Sequence, residues 1–186
     1  MVSLAALWLP ILLSAVLVFL ASFVVHMVLP LHRADYRRLP REDEVMAALR
    51  PFAIPPGDYM VPCAGGPKDL AAPEFKAKLN QGPVAVMTVM KNGPFNMGAS
   101  LLQWFVYCLI VGLFAAYIAS RATGADASRL QVVRFAGATA FSGYALALWQ
   151  DSIWYHRDWG TTLRYTVDGL IYAVLTAACF GWLWPH

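Results

Sequence analysis

Asp168 is the residue of this sequence that most needs a chemical explanation. It stands inside the apolar run Val167–Trp184, about one turn into the helix that such a run implies. A carboxylate there is expensive unless it is paired. Arg164 lies four residues earlier, on the same helical face, and is the expected partner. So read, Asp168 is an N-terminal carboxylate that complements the helix dipole. The alternative is a proton or cation site that Asp168 shares with Asp151 and Gln103.

The segment Trp149–Trp159 (WQDSIWYHRDW) is the densest cluster of chemically able side chains. Its plain reading is an aromatic belt with interfacial charges at headgroup depth. Its sharper reading is a pocket in which Arg157 pairs with a phosphate while tryptophans stack on an apolar body. The candidate polar or ligand site is therefore Gln103, Asp151, His156, Arg157, Asp158, Arg164 and Asp168. Lipid-headgroup contacts are expected from Arg33, Arg37, Arg38, Arg41, Trp154 and Trp159, each cation near the surface contributing about 1 kcal/mol.

Two neutral imidazoles, His26 and His156, fall at one membrane face and could ligate a haem iron or a metal. Four scattered histidines are a thin basis for that, so no metal and no cofactor is expected. No Ser/His/Asp order, HExxH or phosphate-cradling glycine loop occurs, and Gly65-Gly66-Pro67-Lys68 lacks the Walker pattern. No catalytic residue is nominated, and the chain does not read as an enzyme. Cys63, Cys108 and Cys179 form no C-x-x-C pair and read as inert thiols.

The elements that must position these residues are four apolar runs: Leu4–Pro30, Ala99–Ser120, Leu130–Trp149 and Val167–Trp184. Each reaches or approaches the roughly 20 residues needed to cross a hydrocarbon core. Amides in lipid must bond within their own segment, so the runs should be helices. Hydrophobic residues make up 59% of the chain and charged residues 13%, about half the charge of a water-soluble domain. A net charge of +3 without a basic, aromatic-interleaved patch argues against nucleic acid as a partner. The first run has no basic start and no small-residue cleavage site, so it reads as a retained helix and not a signal peptide.

The expected class is all-α transmembrane with four helices. Residues 1–31 form a long first span, 32–98 an extramembrane cap, and 99–186 an antiparallel bundle of spans 2–4. The cap should be small and α+β. Short helices are expected at Arg41–Arg50 and Pro73–Asn80, and strands at Asp58–Val61 and Val84–Met90. Short connections force the last three spans into an up-and-down bundle. Small residues recur every four positions in the last span (Gly169, Ala173, Ala177, Gly181) and let helices approach closely. The first span shows no such stripe, so its surface suits lipid or a partner subunit. Asp126 or Ser128 should cap the third helix, and Thr161 or Thr162 the fourth.

The first and third loops carry eleven Lys/Arg against three in the second loop and none at the ends. The positive-inside rule puts the cap in the cytoplasm and both termini outside. Gln103, Asp151, Asp168, His26 and the aromatic cluster then share the face that the cap is expected to cover.

The strings PPGDYM (Pro55–Met60), NGPFNMG (Asn92–Gly98) and DSIW (Asp151–Trp154) resemble those of small bacterial inner-membrane proteins that have no assigned activity. The resemblance extends over most of the chain and implies a bacterial inner-membrane location without a mechanism. The leading expectation is a non-catalytic accessory or structural subunit, docking through span 1 and the cap on a larger complex or on itself. A small transporter or a lipid- or ligand-binding protein using the polar face is the alternative. A haem or quinone redox subunit is the third.

Overall fold

The computed structural model describes residues 2–185. Four helices are long and apolar enough to cross a membrane: Leu4–Val28, Met97–Ala122, Arg129–Tyr155 and Trp159–Trp182. The chain divides into two compact units. One holds the residues up to Arg37 together with those from Asn96 onward, and the other holds Arg38–Phe95.

The first span is a regular helix, α1 (Trp8–Phe23), with a 3-10 turn (Leu4–Leu7) before it and a π turn (Val24–Val28) after it. Pro10 falls in its first turn, where no amide partner is lost. The span packs against the second and fourth spans, which corrects the expectation of a helix set apart. Its inward stripe is Leu7, Pro10, Ser14, Ala15, Val18 and Ser22, all buried. Serine and valine interleave with one alanine here, so the stripe escapes a search for glycine and alanine alone.

The second span is one helix, labelled α5 (Met97–Ala122) in chain order after the elements of the second unit; the Asn96 side chain caps it by accepting from the Ala99 amide. The third begins as α6 (Arg129–Tyr144) under a capping box of Ser128 and Gln131. It does not run straight to Trp149. After Tyr144 the helix breaks at Ala145 (φ −126°, ψ −47°), passes through a 3-10 turn (Leu146–Leu148) and resumes as α7 (Trp149–Tyr155). The fourth span, α8 (Trp159–Trp182), starts earlier than the sequence suggested, with Asp158 accepting from the Thr161 amide. Thr161 and Thr162 are not its caps: they lie within it, buried. Asp168 is therefore about two and a half turns inside α8.

The small-residue stripe of α8 faces α6. A Cβ on Gly137 would stand 3.1 Å from Ala177 Cβ, and one on Gly169 would stand 2.8 Å from Ala145 Cβ and 3.2 Å from the Tyr144 carbonyl carbon. Gly169 thus brings α8 against the break in the third span, where any larger residue would collide with backbone.

The second unit contains α2 (Glu42–Leu49), β1 (Gly57–Val61), α3 (Pro67–Ala71), α4 (Pro73–Gln81) and β2 (Ala85–Val89). The strands pair antiparallel from Gly57 opposite Val89 to Val61 opposite Ala85. Both expected helices and both expected strands are present within a residue or two of their anticipated ends; α3 was not anticipated. No residue of this unit is fully buried, as expected for so short a segment with little apolar area to enclose.

Candidate functional site

The π turn at the end of the first span is where the site begins. The Leu29 amide bonds to the Val24 carbonyl at 3.0 Å, five residues back, and His26 rides on this widened turn. Leu29 is extended and Pro30 then opens a 3-10 turn, Pro30–His32. The chain folds back on itself, so the His26 and His32 rings lie 4.2 Å apart between centroids. Such single π turns recur at functional sites because they re-aim side chains that an α-helix would spread.

His32 is held from behind. Its Nδ1 lies 2.7 Å from Asp35 Oδ2, and Asp35 is in turn gripped by Arg164, with Nη2 at 2.5 Å and Nε at 2.8 Å from Oδ1. The Asp35 side chain is almost wholly buried. Burial alone would raise its carboxyl, but the His32 hydrogen bond and the Arg164 guanidinium outweigh it and hold Asp35 below the usual carboxylate range. An ionised Asp35 only accepts, so the His32 proton belongs on Nδ1.

The other ring nitrogen of His32 faces Asp168. His32 Nε2 is 2.9 Å from Asp168 Oδ2, and His26 Nε2 is 4.0 Å from the same oxygen. Despite the short distance, His32 Nε2 and Asp168 Oδ2 lack the alignment of a hydrogen bond, and both atoms are buried. Arg164 does not pair with Asp168 as expected: its guanidinium reaches Asp35 instead.

Beside this cluster lies a cavity of about 490 Å³. Ser22 and His26 bound it on the first span, Trp104 and Tyr107 on the second, Gly143, Tyr144, Ala147 and Leu148 on the broken third, and Tyr165, Asp168 and Tyr172 on the fourth. The break makes room for it, and the Tyr107 hydroxyl donates to the Gly143 carbonyl at its edge. Trp104 Nε1 donates to Ser22 Oγ at 2.8 Å and ties the first span to the second. No protein-family model, curated protein or solved structure matches the chain. The residues themselves therefore carry the functional argument.

Of the polar-site residues nominated from sequence, Asp168 lines this cavity, and so does His26, considered there as a haem or metal ligand. Gln103 is exposed and Asp151 half-buried, and neither bounds this cavity. Asp151 pairs loosely with Arg157 at 3.5 Å, and Arg157 stacks over Tyr165 at 4.9 Å. Asp158 is a helix cap, and His156 is exposed with φ 55°. Arg33, Arg37, Arg38 and Arg41 are exposed, with Arg38 and Arg41 pairing to Glu42 and Glu44 in the second unit. Trp154 is exposed and Trp159 meets Trp149 edge-on at 6.3 Å.

His32 and Asp35 are the residues that sequence reasoning missed as site members. The available signal was a histidine, five residues, a second histidine, two residues and an aspartate, spanning Pro30 at the end of an apolar run. That spacing fits no helix or strand period, so it reads as a loop until the fold-back is seen.

Proposed function

We propose that this multi-pass membrane protein binds a lipid-soluble ring compound in the cavity between its four spans. The observation that carries the reading is the cavity itself: about 490 Å³, walled by the rings of Trp104, Tyr107, Tyr144, Tyr165 and Tyr172, with His26 and Asp168 as its polar side. That is the volume and lining of a small-molecule site, apolar over most of its wall with a few convergent polar groups. Aromatic walls favour a flat, apolar body, and His26 offers a hydrogen bond to an oxygen on its head. The inward face of the first span is used within this chain, which removes one of the two features that favoured a docking subunit. The loop charges support a cytoplasmic side for the first and third loops.

The test is calorimetric titration of the protein in lipid nanodiscs with a short-chain benzoquinone. Saturable one-to-one binding is expected, and Ala147→Trp, which fills the cavity from an exposed wall position, should abolish it. No saturable binding, or binding that Ala147→Trp leaves unchanged, refutes the reading.

A further inference from the structure

We propose that His26, His32 and Asp168 form a binding site for a first-row divalent transition-metal ion. His32 Nε2 and Asp168 Oδ2 are buried, 2.9 Å apart and without a hydrogen-bond partner, while Asp35 holds His32 through Nδ1. Buried polar atoms left without a hydrogen bond are costly unless a cation or another partner meets them. The Asp168 side chain is about 95% buried (5% exposed), so water does not screen the contact.

A bound proton would serve only if it lay along the line joining the two atoms, and neither atom has hydrogen-bond alignment. A metal ion sits off that line, in front of both. The third donor, His26 Nε2, stands 4.0 Å from Asp168 Oδ2, and the three donor atoms all lie within 4.8 Å of one another. Metal–nitrogen and metal–oxygen bonds of about 2.0–2.2 Å put neighbouring ligand atoms about 3–3.5 Å apart. The observed spacings bracket that range, so a small rotation of the half-exposed His26 ring completes three ligands.

Two imidazoles and one carboxylate suit zinc, iron(II), cobalt(II) or nickel(II) and are poor for calcium or magnesium, which prefer oxygen alone. Asp35 behind His32 is the carboxylate that metal-bound histidines commonly lean on, fixing the ring and raising its basicity. His26 and Asp168 also line the aromatic cavity, so the ion's remaining positions would open toward it. The site does not depend on that cavity being filled.

The experiment uses the full chain, purified in detergent with any polyhistidine tag removed, and Co²⁺ as the probe. Expected are one Co²⁺ per chain by elemental analysis after dialysis and visible d–d absorption that saturates at that ratio. Zn²⁺ should displace the colour. His32→Gln and Asp168→Asn should each lose the bound ion, Asp35→Asn should weaken binding about 10–100-fold, and His156→Ala should leave it unchanged. Ala147→Trp plugs the cavity and keeps all three ligands, so it should still bind Co²⁺; benzoquinone binding can thus fail without the metal site failing. Wild-type protein that retains no Co²⁺ or Zn²⁺, the proton-only outcome, overturns the proposal whether or not the variants fold. So does cobalt that persists in Asp168→Asn and His32→Gln.

Discussion

Replacing Gly169 with alanine tests how the fourth span meets the break in the third. The new methyl would stand 2.8 Å from Ala145 Cβ, 3.2 Å from the Tyr144 carbonyl carbon and 3.3 Å from Ala145 Cα. Two of those three atoms are backbone, so no side-chain rotation relieves the overlap. In a helix interior the exchange alone would stabilise by about 1 kcal/mol. Overpacking of a close contact costs about 1–3 kcal/mol. A contact under 3 Å backed by backbone puts this site at the upper end, about 3 kcal/mol, so the net is about 2 kcal/mol of lost stability, with α8 pushed outward beside Asp168. Unfolding in mixed micelles, titrated with a denaturing detergent, measures it. Gly98→Ala is the control: at the start of α5 its nearest neighbour is Asn96 Oδ1 at 3.6 Å, so stability should hold or rise. A Gly169→Ala protein as stable as the parent would refute the close approach and, with it, the account of how the cavity wall is held.

Tyr172→Phe should stabilise the ligand-free protein by about 1 kcal/mol in the same assay, because the Tyr172 hydroxyl is buried without a partner. Ser128→Ala should cost about 1 kcal/mol by removing one half of the capping box on α6. Asp158→Ala should cost a similar amount through the lost bond to the Thr161 amide, whereas the exposed Asp126→Ala should cost little. A larger loss at Asp126 than at Ser128 or Asp158 would show that the caps are misassigned.

The second unit bears on how such local signals translate into structure. Pro73 opening α4, Gly82 beyond its end, and the alternation of Val and Met in β2 were legible because each is a local rule obeyed locally. The third span was less legible. Leu130–Trp149 is largely apolar and contains no proline; the break after Tyr144 follows Ser142-Gly143 and is met by the Tyr107 hydroxyl on the Gly143 carbonyl and by the close approach of Gly169. A Ser-Gly pair is common inside apolar helices, so by itself it does not announce a break.

The sequence by itself determined the solvent and the spans. Apolar runs of membrane-crossing length leave the backbone only its own carbonyls to bond, and that constraint is written residue by residue. It also singled out Asp168, since an isolated carboxylate in such a run demands a partner. What it could not determine was which partner. Arg164 was the neighbour on the helix, but its guanidinium is drawn to Asp35, 129 residues away in sequence. His26 and His32 reach Asp168 only because a π turn and Pro30 reverse the chain at the end of the first span. Helical spacing reports neighbours one turn away; electrostatic partners across a bundle are chosen by the packing of whole helices, and only the tertiary structure records that choice.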